Sequence, residues 1–246
     1  MFSRREFLAG SAALFGAAGC TATGSTTTIS SVNGMLVAPR GEEFPVQPVS
    51  LARIPPQFHR QVVRNPTGEP AGTIVVDPNQ KFLYLVLNDR RAMRYGIGVG
   101  RAGFGWSGEA VIKAKRRWPA WHPPKEMQER DPLAAKWADG MPGGPSNPIG
   151  ARGLYLFQGN KDTLYRIHGT AEVNSIGRAV SSGCIRLLNA DVIDLYDRVP
   201  IGTRVVVRGS RGEVMAEAAR DIGADLGEAA RSIGDSLRRV IDGQPI

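Results

Sequence analysis

Short apolar runs separated by turn motifs constrain the fold of this chain most strongly. Residues 73–76 are typical of a β-strand, and residues 77–80 follow with the sequence Asp-Pro-Asn-Gln. That sequence favours a turn, because proline fixes φ and the Asp and Asn side chains bond their own backbone. Residues 81–87 return as a second strand, and residues 91–99 form a third after an Asn-Asp turn. This succession predicts a β-rich globular region.

Further strand-like runs and one helix complete this region, which begins near Gly72. Residues 111–116 alternate apolar and basic side chains, as a half-exposed strand does. Three more strands are predicted at residues 154–157, 164–168 and 204–207. The apolar face from Val192 to Tyr196 predicts a helix with Asn189 as its N-cap. Short strands with turn punctuation and a single clear helix favour a mainly β sandwich or barrel.

A long connection, about residues 118–153, lies between the fourth and fifth predicted strands. It contains three tryptophans and several prolines, and a short helix is predicted after Pro123-Pro124. A loop of this length inside a compact domain is usually a lid or a binding loop. We therefore expect a capping loop whose aromatic side chains face a substrate. A packed surface insertion is the alternative.

Residues 1–20 are an export signal rather than part of the fold. Arg4-Arg5 match the twin-arginine pattern, and the apolar run that follows is too short to span a bilayer as a stable helix. The run ends in small residues before Cys20, which resembles a bacterial lipoprotein signal. We expect a periplasmic protein held at the membrane by a lipid on Cys20. Thr21 after that cysteine favours the outer membrane, and ordinary signal cleavage is the alternative.

Composition sets two further segments apart from the globular region. Residues 21–71 are interpreted as a flexible, Pro-rich tether, because residues 21–31 are almost all Thr, Ser, Gly and Ala. Residues 39–70 hold seven of the seventeen prolines and are expected to pack irregularly or along the domain edge. Residues 209–246 show apolar side chains at three-four spacing, which predicts an amphipathic helical tail. We expect this tail to dock on the domain, to pair with another copy of the chain or to stay partly disordered.

The charge pattern indicates an anionic partner for the globular body. The net charge is +8, and the segment from Ser210 carries five Arg against seven Asp and Glu, so the basic charge lies in the rest of the chain. A nucleic-acid partner is not favoured, since there is no Lys/Arg-rich run and no zinc-finger spacing. An acidic polymer with free carboxylates fits. The absence of Cys-x-x-Cys and His-Glu-x-x-His spacings argues against a metal site.

One cysteine and one histidine are the candidates for chemistry. If Cys20 carries lipid or is removed, Cys184 has no disulfide partner, and an unpaired cysteine in an exported protein is a candidate reactive thiol. A thiol needs a base to become a good nucleophile at neutral pH. His168 ends a strand-like run, whereas His59 and His122 lie in proline-rich segments, so His168 is the preferred base. A small core cysteine and a structural histidine are the alternatives.

The motifs around this pair resemble those of the bacterial L,D-transpeptidase catalytic domain. The matching residues are Ile167-His168-Gly169-Thr170, Ser181-Ser182-Gly183-Cys184-Ile185-Arg186, Asn147-Pro148-Ile149-Gly150 and Leu154-Tyr155-Leu156. The resemblance covers residues 72–208. It implies a β-sandwich catalytic domain with a cysteine nucleophile and no cofactor, acting on peptidoglycan stem peptides.

The resemblance also implies a role for each matching position of the pair. Cys184 would attack the carbonyl between the third stem residue and a terminal D-amino acid. His168 would serve first as base and then as acid. The backbone carbonyl of Gly169 would orient the imidazole ring of His168.

The residues around the cysteine would stabilise and bind the substrate. The backbone of Ser182 and Gly183, next to Ser181, would hold the oxyanion that forms on the attacked carbonyl. Arg186 would line the site and face a substrate carboxylate, or serve as a structural hydrogen-bond donor. Ser182 departs from the family pattern, in which many members have a second histidine there. This departure bears on acceptor preference and on the tuning of the thiol.

Three functions follow from these residues. The leading hypothesis is an L,D-transpeptidase that forms a thioester at Cys184 and passes the acyl group to an amine. That amine belongs to a neighbouring diaminopimelate, giving a 3-3 cross-link, or to a lysine of an outer-membrane lipoprotein. The second hypothesis gives the same thioester to water, as in an amidase or carboxypeptidase. The third is a wall-binding module without turnover.

Overall fold

The computed structural model describes residues 31–101, 106–181 and 183–209, and β-strands dominate this part of the chain. The strands are β1 (Ser31–Val32), β2 (Met35–Leu36), β3 (Val49–Ser50), β4 (Gln61–Arg64), β5 (Ile74–Asp77), β6 (Phe82–Asn88), β7 (Arg91–Gly96), β8 (Val99–Gly100), β9 (Gly108–Arg117), β10 (Arg152–Gln158), β11 (Lys161–Thr170), β12 (Ala179–Ser181), β13 (Ile185–Leu188) and β14 (Arg204–Val207). The helices are α1 (Lys125–Gln128), α2 (Pro132–Lys136) and α3 (Asn189–Arg198). The prediction of a mainly β fold is confirmed.

Nine of these strands form one continuous sheet in the order β13-β11-β10-β9-β14-β5-β6-β7-β4. Neighbours pair antiparallel except β11 with β13 and β14 with β5, which pair parallel. The sheet curls, because Gly98, just after β7, exchanges backbone hydrogen bonds with Arg186 on the terminal strand β13. Core side chains of β5–β7 and of β10–β13 consequently share one buried cluster. The two halves of the sheet face each other across it as the layers of a sandwich.

The alternation of side chains along β5 shows why the sequence forms a two-sided sheet. Ile74 and Val76 point into the main core, whereas Val75 packs on the opposite face against Tyr84 and Ala92. Successive side chains of a strand lie on opposite faces, so β5 buries all its apolar residues only if both faces are covered. This strand therefore lies in the interior of the fold.

Residues 31–64, which we call the N-terminal strap, lie within the predicted tether and pack along the edge of the domain, as expected for its Pro-rich part. The strap forms the small sheet of β1, β2 and β3, and β4 adds to the edge of the main sheet beside β7. Leu36 and Ile54 of the strap are buried against Val173 and Ile176. Prolines hid this packing from sequence periodicity, because these apolar residues are spread singly between breaks. Residues 21–30 lie outside the described residues.

A buried ion pair fixes the strap to the sheet. Arg152 on β10 donates two hydrogen bonds to the Glu42 carboxylate, with N–O distances of 2.5 and 2.8 Å. The side chain of Arg152 is 2% exposed and that of Glu42 is 9% exposed. Trp118 also donates its indole N–H to Glu42, at 3.1 Å. The Arg152 guanidinium beside it lowers the pKa of the Glu42 carboxyl.

Replacing Glu42 with alanine should destabilise the fold by about 3–5 kcal/mol, because it leaves the buried Arg152 charge without its carboxylate. Urea unfolding measures the change. Glu43→Ala, at the exposed neighbouring position, is the matched control and should change stability by less than about 0.5 kcal/mol. Equal stability of the two variants would show that the strap is not anchored through this pair.

The helices of the fold agree only in part with the predicted ones. Asn189 does not cap α3; its side-chain oxygen accepts the backbone N–H of Ala151 at 2.9 Å instead, and Leu188 is the N-cap residue. The helix predicted after Pro123-Pro124 is α1, and α2 follows it. No helix of the described residues is long and apolar enough to cross a membrane. The signal, Cys20, Ser182 and the C-terminal amphipathic helix lie outside the described residues.

Candidate active site

Parallel pairing of β11 with β13 brings the predicted base and nucleophile together. His168 lies beside Arg186 in the register of this pair. Cys184 comes directly before the first residue of β13. Both His168 and Cys184 line one pocket with a volume of about 180 Å³. A spacing of sixteen residues thus places both side chains at the same pocket.

The ring of His168 is buried and held in one orientation. Its Nδ1 lies 2.8 Å from the carbonyl oxygen of Gly169, as the resemblance implied. A carbonyl only accepts, so Nδ1 carries the hydrogen and Nε2 carries the lone pair. Burial lowers the pKa of His168 to about 4, and the charge of Arg186 acts in the same direction, while backbone hydrogen bonds to Gly169 and Ile149 oppose it. At neutral pH the imidazole is therefore a neutral base.

There is no space for a side chain at the position of Gly169. A Cβ built there would lie 2.3 Å from the side-chain oxygen of Asn189 and 2.9 Å from the backbone nitrogen of Ala151. These contacts are too short for any real Cβ, and one of them is with backbone. Glycine at this position therefore permits a close approach of the neighbouring segments. It lets α3 pack directly behind the strand that holds His168.

The thiol of Cys184 is half-buried and lies against the backbone of β11. Its sulfur is 4.0 Å from the carbonyl oxygen of Leu164. Burial raises the pKa of Cys184, and the Arg166 backbone together with the charges of Arg166 and Arg186 offsets part of that rise. The resting pair is consequently a neutral thiol beside a neutral imidazole. A thiol in this state needs a base that accepts its proton before it can act as a nucleophile.

Two left-handed residues shape the backbone on either side of the sulfur. Leu164 has φ 63°, although it is not glycine, and it lies where the pairing of β10 with β11 shifts register. Bulges of this kind re-aim the backbone near active sites. Gly183 is buried with φ 129°, a conformation that favours glycine. The oxyanion role of Ser182 and Gly183 stays a prediction, as does that of Ser181, the last residue of β12.

Arg166 is a residue of this site that the sequence analysis missed. It lies two positions before His168 on β11 and therefore on the same face. Asp162 holds its guanidinium with two contacts of 2.7 and 2.8 Å, and the guanidinium carbon lies 4.4 Å from the ring centroid of Tyr155. Its positive charge favours the thiolate of Cys184. Because residues two apart on a strand share a face, counting back two positions from His168 on the predicted strand would have identified Arg166.

Alkylation of Cys184 by iodoacetamide should accelerate with pH up to a midpoint above the ordinary thiol pKa, because burial disfavours the thiolate. Arg166→Gln removes a nearby positive charge, so it should raise that midpoint further and slow labelling at neutral pH. Labelling rates from peptide mapping at several pH values measure this. Arg91→Gln, at an exposed position of β7, is the control. An unchanged midpoint in Arg166→Gln would contradict a role for that charge.

The pocket joins an apolar wall to a polar one. Its lining residues are Trp121, Met127, Asp131, Leu133, Pro148, Ile149, His168, Glu172, Cys184 and Arg186. The long loop therefore caps the site through α1 and α2, as predicted. Of its three tryptophans, Trp121 lines this pocket, whereas Trp118 packs against Phe44 of the strap with ring centroids 5.2 Å apart. The expectation of a wall built by all three was wrong.

Arg186 lines the pocket and donates a structural hydrogen bond, and its contact with a substrate carboxylate stays a prediction. It lines the pocket, and its Nη1 donates to a carboxylate oxygen of Glu172 at 2.9 Å. Its backbone N–H and carbonyl both bond to Gly98, which fixes where its side chain begins. Across residues 31–101, 106–181 and 183–209, no cluster of three or more His, Cys, Asp or Glu side chains could hold a metal ion. The arrangement is suited to acyl transfer through a thioester.

Comparison with known proteins places the chain in one family. The family model for the L,D-transpeptidase catalytic domain (YkuD) matches residues 71–207. The chain is 52% identical over 134 residues to "Putative L,D-transpeptidase YkuD" of Bacillus subtilis (strain 168), covering 54% of this chain and 64% of that protein. It is 36% identical over 140 residues to "Probable L,D-transpeptidase ErfK/SrfK" of Escherichia coli (strain K12), covering 54% of this chain and 43% of that protein. The chain thus spans about half of the length of these relatives.

A solved structure with high sequence identity bears a different title. It is the "Crystal structure of a Probable carnitine operon oxidoreductase caia from Brucella melitensis", 55% identical, covering 63% of this chain and 96% of that chain with a TM-score of 0.44. At that TM-score the likeness carries no argument about function. The family model, by contrast, covers more than half of the 246 residues and contains both His168 and Cys184. The chain therefore belongs to the L,D-transpeptidase catalytic domain family.

Proposed function

We propose that this protein is a peptidoglycan L,D-transpeptidase that works through a thioester on Cys184. One observation carries the proposal: a neutral thiol and a neutral imidazole line the same pocket, and the imidazole is oriented through Nδ1 by the Gly169 carbonyl. This is the arrangement that a general base needs to accept a proton from an attacking thiol. Family membership supports peptidoglycan peptides as the substrates.

Acylation begins when a stem tetrapeptide places its last peptide bond beside the sulfur. Sulfur attacks the carbonyl carbon while His168 takes the thiol proton. The backbone of residues 182–184 holds the developing oxyanion. His168 then gives its proton to the leaving nitrogen, the C–N bond breaks, and the terminal D-amino acid departs. A tripeptide acyl group remains on Cys184 as a thioester.

The second half of the reaction passes the acyl group to an amine. The amine nitrogen attacks the thioester carbonyl, the C–S bond breaks, and the sulfur regains a proton through His168. The basic body of the chain suits the carboxylate-rich polymer that supplies both substrates.

Mass spectrometry with purified protein and a disaccharide-tetrapeptide tests the proposal. A transpeptidase yields cross-linked dimers and the released D-amino acid. Tripeptide without dimers would indicate that water takes the acyl group, and no turnover would leave only a binding module. Exposure of the intact protein to a carbapenem gives an independent test. An adduct on Cys184 supports the nucleophile, and an unmodified protein would contradict it.

We also propose that the protein is exported to the periplasm and anchored by a lipid on Cys20. The support is the twin-arginine pattern and the small residues before that cysteine. Lipoprotein maturation attaches several acyl chains, and more than one chain is needed for stable anchoring. Cys20→Ser should therefore move the protein from the membrane fraction to the soluble periplasmic fraction. An unchanged distribution would argue against the anchor.

A further inference from the structure

We infer that Phe58 of the strap is a positioning residue for the nucleophile, and that it acts through Gly177. Gly177 begins the stretch of residues 177–186, which we call the nucleophile segment because it carries Cys184. The inference rests on the proposed function, since it concerns how this segment is held for the attack on a substrate. Phe58 precedes residues 71–207, which match the family model, so the catalytic domain receives this contact from outside its own boundaries.

Both ends of the nucleophile segment are bonded to the same short stretch of chain, residues 97–100. At the first end, the Gly177 N–H donates to the Ile97 carbonyl at 2.9 Å, and β12 pairs in parallel with β8. At the second end, Arg186 exchanges two backbone hydrogen bonds with Gly98, at 2.8 and 2.9 Å. The position of the backbone that carries the sulfur therefore depends on how these two ends lie on residues 97–100.

Phe58 fills the place where β7 meets the start of the nucleophile segment. A Cβ built on Gly177 would lie within 3.0 Å of three carbons of the Phe58 ring. A Cβ built on Gly96, the last residue of β7, would lie 2.5 Å from the Phe58 carbonyl oxygen and 2.6 Å from its Cβ. Glycine at both positions lets Phe58 lie directly on the backbone. The ring consequently contacts the nucleophile segment without an intervening side chain.

The ring of Phe58 is itself held in place from other sides. Its centroid lies 5.5 Å from that of Phe82 on β6, and its side chain packs on the buried cluster that contains Ile176. The neighbouring backbone is fixed to β7, because the Arg94 side chain donates to the Gln57 carbonyl at 2.9 Å. A side chain whose rotamer is fixed by packing can set the position of the backbone that it touches.

The rest of the strap is attached to the domain independently of Phe58. The Glu42 carboxylate bonds the buried Arg152, and Arg60 forms ion pairs with two carboxylates of α3 at 3.4 and 3.0 Å. Loss of the Phe58 ring should therefore leave the strap folded and loosen only its contact with Gly177. The effect of Phe58 on the nucleophile can thus be separated from the contribution of the strap to stability.

The position of the nucleophile segment matters for the rate of acylation. In the proposed mechanism, the backbone of residues 182–184 holds the oxyanion, and such donors act only where they already point at the developing charge. A misplacement of about 1 Å caused by a distant mutation can lower a rate about a hundredfold. A loosened segment should therefore slow bond formation at the sulfur. Ligand binding to the walls that the capping loop supplies should be retained, because that loop is held by other contacts.

Acylation of the full-length protein by a carbapenem tests the inference. Intact-mass spectrometry at several carbapenem concentrations gives the maximal acylation rate and the half-saturating concentration separately. Phe58→Ala should lower the maximal rate by about ten- to a hundredfold and change the half-saturating concentration by less than about threefold. Phe58→Leu keeps the Cβ that lies on Gly96 but loses the ring that lies on Gly177, so it should lower the maximal rate to a smaller extent. This milder variant gives the same measurement should Phe58→Ala fail to fold.

Phe44→Ala is the matched control. Phe44 is also a half-buried phenylalanine of the strap, and its ring centroid lies 5.2 Å from that of Trp118 in the capping loop. Both alanine variants should lower the melting temperature, but only Phe58→Ala should lower the maximal acylation rate. Hydrogen exchange gives a direct second readout. The backbone amides of residues 177–186 should exchange faster in Phe58→Ala and at the wild-type rate in Phe44→Ala.

The outcomes separate the inference from the proposed function. Wild-type acylation and exchange in folded Phe58→Ala or Phe58→Leu would overturn the inference alone. A maximal rate that falls equally in Phe44→Ala would also overturn it, because the loss would then reflect stability rather than the contact with Gly177. A wild-type protein that the carbapenem does not acylate rejects the proposed function and the inference together.

Discussion

Cys184→Ala should abolish acyl transfer and carbapenem labelling, lowering the rate by at least about a thousandfold. The reason is that Cys184 is the one thiol among the residues that line the pocket, and losing a nucleophile removes the covalent route entirely. Stability should change by no more than about 1 kcal/mol, because the sulfur is half-buried and has a long 4.0 Å contact with the Leu164 carbonyl. Intact-mass spectrometry measures the carbapenem adduct, and analysis of the reaction products measures acyl transfer.

The interpretation of this variant depends on its fold. Thermal unfolding of Cys184→Ala beside the wild type shows whether the pocket is intact. Cys184→Ser offers a second comparison, since its hydroxyl keeps the shape of the side chain but is a far weaker nucleophile. A carbapenem adduct that persists in folded Cys184→Ala would place the nucleophile elsewhere. That result would remove the basis of the proposed mechanism.

His168→Gln should lower the acylation rate by about 10²–10⁴-fold at neutral pH, because glutamine cannot take the thiol proton. The deficit should shrink as the pH rises, since a thiolate formed by hydroxide needs no base. A purely structural role for His168 would give the same deficit at every pH. Acylation rates by stopped mixing and mass spectrometry from pH 5 to about 10 distinguish these cases.

The wild-type pH profile gives a further check on the same residue. With its pKa lowered to about 4, His168 remains neutral and competent through mildly acidic pH, so its protonation should reduce acylation only near pH 4. An ordinary histidine would lose activity about two pH units higher. His122→Gln, on the exposed part of the capping loop, is the control and should retain the wild-type profile. A fall in activity centred near pH 6.5 would contradict the buried environment of His168.

Much of the β-structure was predictable because apolar runs lie between clear turn signals. The runs that became β5, β6, β9, β10 and β11 combine β-branched or aromatic residues with turn residues at their ends. β4 escaped prediction because its two valines lie in the Pro-rich segment, and β13 because it leads without a break into α3. A short segment becomes a strand when a neighbouring edge supplies hydrogen bonds. That partner is chosen by tertiary contacts.

The residues of the candidate site were likewise predicted only in part from the sequence. The chain itself identifies His168 and Cys184, since both stand beside glycine in a specific motif and the rival histidines lie among prolines. Arg166 and Glu172 were missed, although both lie within five residues of His168. A single Arg or Glu in a chain with many charged residues does not by itself indicate a functional site. Their importance depends on which face of a strand they occupy and which pocket they line.

The sequence by itself determined the chemistry: which thiol and which imidazole are available, and that a tight glycine backbone follows the histidine. Only the tertiary structure decided their setting. Parallel pairing of β11 with β13 brings His168 and Cys184 to one pocket, and burial favours the neutral form of both groups. The strap turned out to be folded because Arg152, buried by the sheet, requires the carboxylate of Glu42. Local patterns encode residue types and periodicity, whereas desolvation and charge pairing arise only when distant segments meet.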